Sequence, residues 1–182
     1  MSAPTGDVVV HSGERRLIGT LQKGALEGPV RIEENGRPQA SLSYRQGVLH
    51  GPFVLLHANG KPAARMAYEN GKLHGLATYY AAEGWMQRQA NYRAGLLHGE
   101  VKTFFADGSL AQWQHYHVGQ LHGLQQRFHP DQKLASRQLY QQGQVAEAEQ
   151  RFASDGRPLD ARGQPISRLA WWWRRLTEAP EV

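Results

Sequence analysis

The sequence predicts an all-β fold: an elongated single-layer antiparallel sheet of tandem 24-residue β-hairpin repeats, with a C-terminal amphipathic capping helix. Three observations predict it. The frame Tyr-x-x-Gly-x-Leu-His-Gly opens at Tyr44, Tyr68, Tyr92 and Tyr116, 24 residues apart each time. A fixed period of that size marks a stacked repeat architecture. Each repeat also carries two turn signals. One is the Gly-x-Leu-His-Gly segment, and the other is the series Asn35-Gly36, Asn59-Gly60, Glu83-Gly84, Asp107-Gly108 and Asp155-Gly156. Asn-Gly and Asp-Gly between short apolar stretches favour hairpins because both residues tolerate positive φ. Between the turns, apolar and polar residues alternate, as a sheet with one buried and one wet face requires.

Taken in order, residues 1–7 are expected to form a flexible N-terminus. Val8 to Val10 reads as a strand, Ser12-Gly13 as a turn and Arg16 to Leu21 as the return strand, which makes half a repeat. A weak copy of the frame follows at Leu21, Gly24, Leu26, Glu27 and Gly28. In the full repeats one outgoing position reads Ile32, Leu56, Tyr80, Phe104, Phe128 and Phe152. One parity of a return strand reads Pro38, Ala40, Leu42 and Tyr44, against Arg37, Gln39, Ser41 and Ser43 on the other. The repeat at Tyr116 has Pro130-Asp131-Gln132 where its neighbours have Asx-Gly, so a different turn type is expected there. A weakened copy at Tyr140 keeps Gly143 and Val145 but has Ala146-Glu147 in place of His-Gly.

The array spans residues 8–159, with about twelve strands and a length of roughly 55–60 Å at the usual strand spacing. Residues 160–165 read as a linker. Residues 166–178 then change period: Ile166, Leu169, Ala170, Trp173 and Leu176 follow helical spacing, with Pro165 near the first turn.

Composition narrows the function classes. Apolar residues make up 40% of the chain and the mean hydropathy is -0.61, which suits a thin array better than a thick core. There is no Cys, so neither a disulfide framework nor a thiolate metal site is expected. The start lacks a basic and apolar leader, and no run approaches the roughly 18 apolar residues of a membrane span. A cytoplasmic protein is expected. The net charge of +5 is scattered along the chain, without a recognition helix or zinc spacing, so no nucleic-acid partner is expected.

No recurrent carboxylate pair, nucleophile elbow or helix-borne glycine loop is present, so neither an enzyme nor a cofactor is expected. His50, His74, His98 and His122 recur in register. Equivalent positions lie about 9.5 Å apart, two strand spacings, which is too far for one zinc ion. Each of these side chains is expected to hydrogen-bond a turn carbonyl, and no metal site is expected. His115 and His117 share a strand face, with His129 one hairpin on.

With Gly-x-x-x-Gly followed by an aromatic and an Asx-Gly turn, the stretches Gly47–Gly60, Gly71–Gly84 and Gly95–Gly108 resemble MORN-type repeats, in the variant common in bacterial proteins. The resemblance runs from about Val8 to Leu159. It implies a twisted sheet of consecutive hairpins and non-enzymatic roles in protein scaffolding, sometimes with lipid. Bacterial chains of this kind are similar to a family of antitoxin or immunity proteins. The sequence departs from the Tyr-x-Gly-x-Trp core of eukaryotic repeats, so no phosphoinositide role carries over.

The expected function is a non-enzymatic protein-binding module, of antitoxin or immunity type, that occludes a partner toxin or effector. Trp85, Trp113 and Arg65 are large groups on the polar parity, of the kinds that dominate interfaces. His115 shares the parity of Trp113, and Arg137 follows one repeat later. In the helix, Trp171-Trp172-Trp173 cannot all face inward, so Trp171 and Trp172 join the candidates. The helix either caps the last hairpin or lies on a membrane surface as a scaffold, with Arg168, Arg174 and Arg175 on anionic lipid. Oligomeric state is left open.

Overall fold

The computed structural model describes residues 3–171. Seventeen β segments follow one another: β1 Gly6–Ser12, β2 Arg15–Gln22, β3 Ala25–Glu34, β4 Arg37–Arg45, β5 Val48–Leu49, β6 Gly51–Leu56, β7 Pro62–Glu69, β8 Lys72–Leu73 and β9 Gly75–Tyr80. The series continues with β10 Met86–Arg93, β11 Leu96–Phe104, β12 Leu110–His117, β13 Gln120–Leu121, β14 Gly123–Phe128, β15 Leu134–Gln141, β16 Gln144–Val145 and β17 Gln150–Arg151. The longer strands pair antiparallel in chain order, giving one open meander.

The two-residue segments β5, β8, β13 and β16 lead into β6, β9, β14 and β17. The seventeen segments therefore fill thirteen lanes, one more than expected. First to last lane spans roughly 58 Å at the usual spacing.

The tyrosines mark the register. Tyr68 lies opposite Gly51 in the preceding lane and Leu73 in the next. Tyr92 does the same with Gly75 and Leu97. Where the frame reads His-Gly, the outgoing strand carries two extra residues: Tyr92 pairs with Leu97, but Ala90 pairs with Val101. That bulge keeps the side-chain parity intact, because a shift of two returns each residue to its own face.

One edge of the sheet is a row of two-residue turns. Gln46 and Gly47 have φ of 51° and 76°, and Asn70-Gly71, Ala94-Gly95, Val118-Gly119 and Gln142-Gly143 repeat the geometry. Positive φ at both positions matches the right-handed twist of the strands. The turns are tied to one another. Gly47 N donates to Leu26 O, Gly71 N to Leu49 O, Gly95 N to Leu73 O, Gly119 N to Leu97 O and Gly143 N to Leu121 O, each at 2.8 Å.

Val118 is β-branched, and its φ of 49° is strained. Asn, which stands at the equivalent position 70, tolerates this region. Val118→Asn is therefore expected to raise stability by about 0.5–1 kcal/mol, read as a higher urea midpoint at unchanged slope.

The opposite edge differs from expectation in two ways. At Asn59-Gly60, Asp107-Gly108 and Asp155-Gly156 only the glycine has positive φ. Here Gly60 N donates to His57 O, and His57 N to Lys61 O. This is a type I turn followed by a left-handed glycine. The side chain of the Asx residue stabilises it by accepting from the amide two residues on, as from Lys61 N at 3.0 Å and Ser109 N at 2.9 Å. Asn35-Gly36 alone in the series has both residues at positive φ.

The second departure is at Asp131-Gln132, which forms the same turn as its neighbours. Gln132 takes the glycine position at φ 66°, and Gln132 N donates to His129 O at 2.9 Å. Its side chain accepts from Leu110 N in the neighbouring hairpin, which helps to hold it there.

Both ends differ from the sequence-based boundaries. Within the 1–7 stretch, pairing begins at Gly6 opposite Leu21, and Pro4 O accepts from Gly24 N at 2.8 Å. The 160–165 stretch forms another such turn, with Asp160 N donating to Gln164 O and Leu159 bridging Pro165. Helix starts at Arg168, after Ser167, whose Oγ accepts from Ala170 N at 3.2 Å as an N-cap. Leu169, placed on the expected apolar stripe, is 73% exposed. The rest of the 166–178 helix lies outside the described residues.

The buried apolar groups share the tyrosine face. Val30, Ala40 and Leu42 pack with Leu17, Leu26, Ile32, Tyr44, Leu49 and Phe53. Farther along, Ala77, Ala90 and Val101 form one cross-strand row. Tyr79 and Tyr92 place their hydroxyls 3.3 Å apart. Burial, helped by Tyr92, pushes the Tyr79 phenol up to about 12, so Tyr79 stays neutral at physiological pH. The chain exposes 12214 Å², against about 8,800 Å² for a compact monomer of its mass. The sheet has no second layer among the described residues.

Candidate partner-binding face

The face opposite the tyrosines carries a continuous cross-strand row: Ile18, Arg31, Ser41, Val54, Arg65, Thr78, Gln89, Lys102, Trp113, Gln126, Arg137 and Gln150. Directly opposed residues of an antiparallel pair point to the same side, so this row is one line of side chains. Its cations, Arg31, Arg65, Lys102 and Arg137, each recur after three lanes. That places successive cations about 14 Å apart.

The most connected part is the centre of β11 and β12. Lys102 Nζ lies 5.3 Å from the Trp113 ring centroid and 2.7 Å from Glu100 Oε2. His115 Nε2 lies 3.7 Å from Glu100 Oε1, and the Trp113 and His115 rings are 5.2 Å apart. The hydrogen bond from Lys102 holds the Glu100 carboxyl below the usual carboxylate range, assisted by the charges of Lys102 and His115. Trp113 is half-buried rather than fully exposed, and its Nε1 is buried without a hydrogen-bond partner.

The other candidates divide. Arg65 lies on the same row, four lanes from Trp113, with its guanidinium carbon 5.9 Å from the Tyr80 ring centroid. Arg137 is two lanes beyond Trp113, and its Nε donates to Gln150 Oε1 at 2.8 Å. Arg137 and Trp171 line one hollow of about 840 Å³ at the C-terminal end, with Phe152 and Asp155. Trp85 is off the row: it closes an edge turn, its carbonyl accepting from Ala81 N at 2.9 Å. Trp172 lies outside the described residues.

Lys102 was not among the candidates from sequence. Counting outward from the Asp107-Gly108 turn, with one extra residue for the bulge, would have placed it opposite Trp113.

The recurring histidines do not use their rings as expected. Their backbone amides anchor the bulge instead, with His50 N donating to Ser43 O, His74 N to Ala67 O and His122 N to His115 O, each at 2.9 Å. His50 Nδ1 is buried without a hydrogen-bond partner. His74 Nδ1 lies 3.3 Å from Glu69. The His117 ring stands between His98 at 5.3 Å and His122 at 6.0 Å. Among the described residues, no three His, Asp or Glu side chains converge on a metal position.

The family model described as MORN repeat variant matches residues 73–94 and 97–117, which hold the central Lys102–Trp113 constellation. These two adjacent stretches are repeats of a type that binds proteins or membranes. No curated protein matches the chain. No helix among the described residues is long and apolar enough to cross a membrane.

Proposed function

We propose that the chain is a non-enzymatic protein-binding module of antitoxin or immunity type, which occludes a toxin or effector by laying the face opposite the tyrosines against it. The observation that carries the reading is the Lys102–Trp113–His115 constellation at the middle of a cation-bearing row on a broad, single-layer face. Aromatic and cationic side chains grouped near the centre of a surface are the usual interface hot spots. The cations Arg65, Lys102 and Arg137 favour a partner with an acidic surface. A patch of about 800 Å² is enough for a stable complex.

Affinity capture from the native cell tests it. The expected result is one stoichiometric protein, with Trp113→Ala weakening its binding at least about 30-fold, the factor that corresponds to a hot spot of 2 kcal/mol. Unchanged binding by Trp113→Ala overturns the reading.

A second reading, a membrane-surface scaffold, is favoured by Leu169, which is 73% exposed at the start of the tryptophan-rich segment and beside Arg168. Sedimentation with anionic vesicles that Leu169→Glu abolishes and Trp113→Ala leaves alone supports it.

A further inference from the structure

We propose that the N-terminal edge strand β1 is a homodimer interface, across which two copies pair their β1 strands antiparallel about a two-fold axis at Val9. The sheet then runs without a break through both molecules.

β1 is an open edge. β1 pairs with β2 through seven residues without a register shift, and nothing among the described residues pairs with its other side. The Ser12–Arg15 pair flanks the two-residue turn, so it is hydrogen-bonded, and hydrogen-bonded pairs alternate with non-bonded ones along the ladder. The amides and carbonyls of Asp7, Val9 and His11 therefore point away from the sheet. An edge of this kind templates pairing unless a Pro, a Lys or a bulge blunts it. The segment Gly-Asp-Val-Val-Val-His-Ser has none of these, and its one carboxylate, Asp7, is held by Thr20. The other end of the sheet is treated differently, because its last bridges are made by Pro158 and Pro165.

The edge is also self-complementary, which identifies the occupant as another copy of this chain. With Val9 opposite Val9 of the second copy, Asp7 meets His11, Val8 meets Val10 and Gly6 meets Ser12, each twice. The Asp7 carboxylate already accepts from Thr20 Oγ1 at 3.0 Å, and its other oxygen is left for the imidazole of His11. Arg16 sits directly opposite His11 on β2 and adds positive charge on the same face. A register shifted by two residues would lose both Asp7–His11 contacts, and one shifted by four would set Asp7 against Asp7 or His11 against His11.

The edge strand also exposes apolar surface. Val9 and Val10 are 50% and 53% exposed. Val8 and Val10 point to the tyrosine face, opposite Gly19 and Leu17. Pairing through β1 covers both positions with the Val10 and Val8 of the second copy, so the apolar face continues across the axis.

The chain has no Cys, which allows a direct test of both association and register. Light scattering on the full chain at about 100 μM, a concentration suited to a small and weak interface, is expected to give twice the 20.4 kDa chain mass. Val9→Lys is expected to give the monomer mass with an unchanged far-UV spectrum. Under mild oxidation Val9→Cys is expected to cross-link to itself. Asp7→Cys and His11→Cys are each expected to cross-link only when mixed. A monomer at that concentration, or self-cross-linking at Asp7→Cys instead of Val9→Cys, overturns the proposal.

Discussion

Val101→Asp is expected to unfold the central repeats around it, while Gln89→Asp, in the adjacent lane but on the other face, shifts stability by no more than about 0.5 kcal/mol. Val101 is 1% exposed and lies opposite Ala90 on the tyrosine face. A carboxylate there has no partner, and burying an unpaired charge costs more than a protein of this size has in reserve, about 5–15 kcal/mol. Gln89 lies opposite Lys102, where an added carboxylate meets a cation. Val101→Ala separates volume from charge, with an expected loss of about 1.5–3 kcal/mol. Urea unfolding followed by circular dichroism measures all three. An Asp tolerated at 101 would overturn the assignment of the two faces.

Gly99→Val is expected to cost about 1–3 kcal/mol for backbone strain alone. Gly99 has a φ of 87°, and a Cβ built there meets nothing closer than Asn91 Cβ at 3.8 Å. Space is therefore not the obstacle. If conformation is the cause, Gly99→Asn must cost clearly less than Gly99→Val, because Asn enters the left-handed region more readily. Equal losses, read from urea midpoints at unchanged slope, would mean that packing matters instead.

These predictions rest partly on what the residues declare by themselves and partly on what only the assembled sheet reveals. The 24-residue period and the apolar parity of Ala40, Leu42 and Tyr44 were legible because strand geometry is local and alternates with period two. The turn at Asp131-Gln132 was misread because residue preference argued against it. In the assembled sheet the same loop geometry recurs on each neighbour, and the Gln132 side chain bonds the adjacent hairpin. The histidine rings were misassigned for a related reason. The motif requires a backbone amide at that position, and a side chain cannot be inferred from an amide's role.

The candidate face was only half visible. Trp113, Arg65 and Arg137 stood out by residue type, but their alignment on one row depends on two-residue bulges that reset the pairing in every repeat. Lys102 was overlooked because a lone lysine in a strand looks like any solvated charge. Trp85 was placed on the sheet by parity counting, which fails at a turn that contains a left-handed residue.

The hydrogen bonds that join each two-residue turn to the one before it, from Gly71 N to Leu49 O and from Gly95 N to Leu73 O, tie only adjacent repeats. Each unit knows nothing of the chain beyond its two neighbours. The molecule is therefore a zipper: it opens from its ends, its central units are held the longest, and cooperativity extends only as far as neighbour contacts carry it. Its length is a countable quantity. Removing 24 residues from the middle, from one tyrosine to the next, leaves every remaining unit with the neighbours it needs. Removing any number that breaks the period throws every later side chain out of line. Evolution can thus change the reach of the sheet in whole steps, without redesigning any one of them.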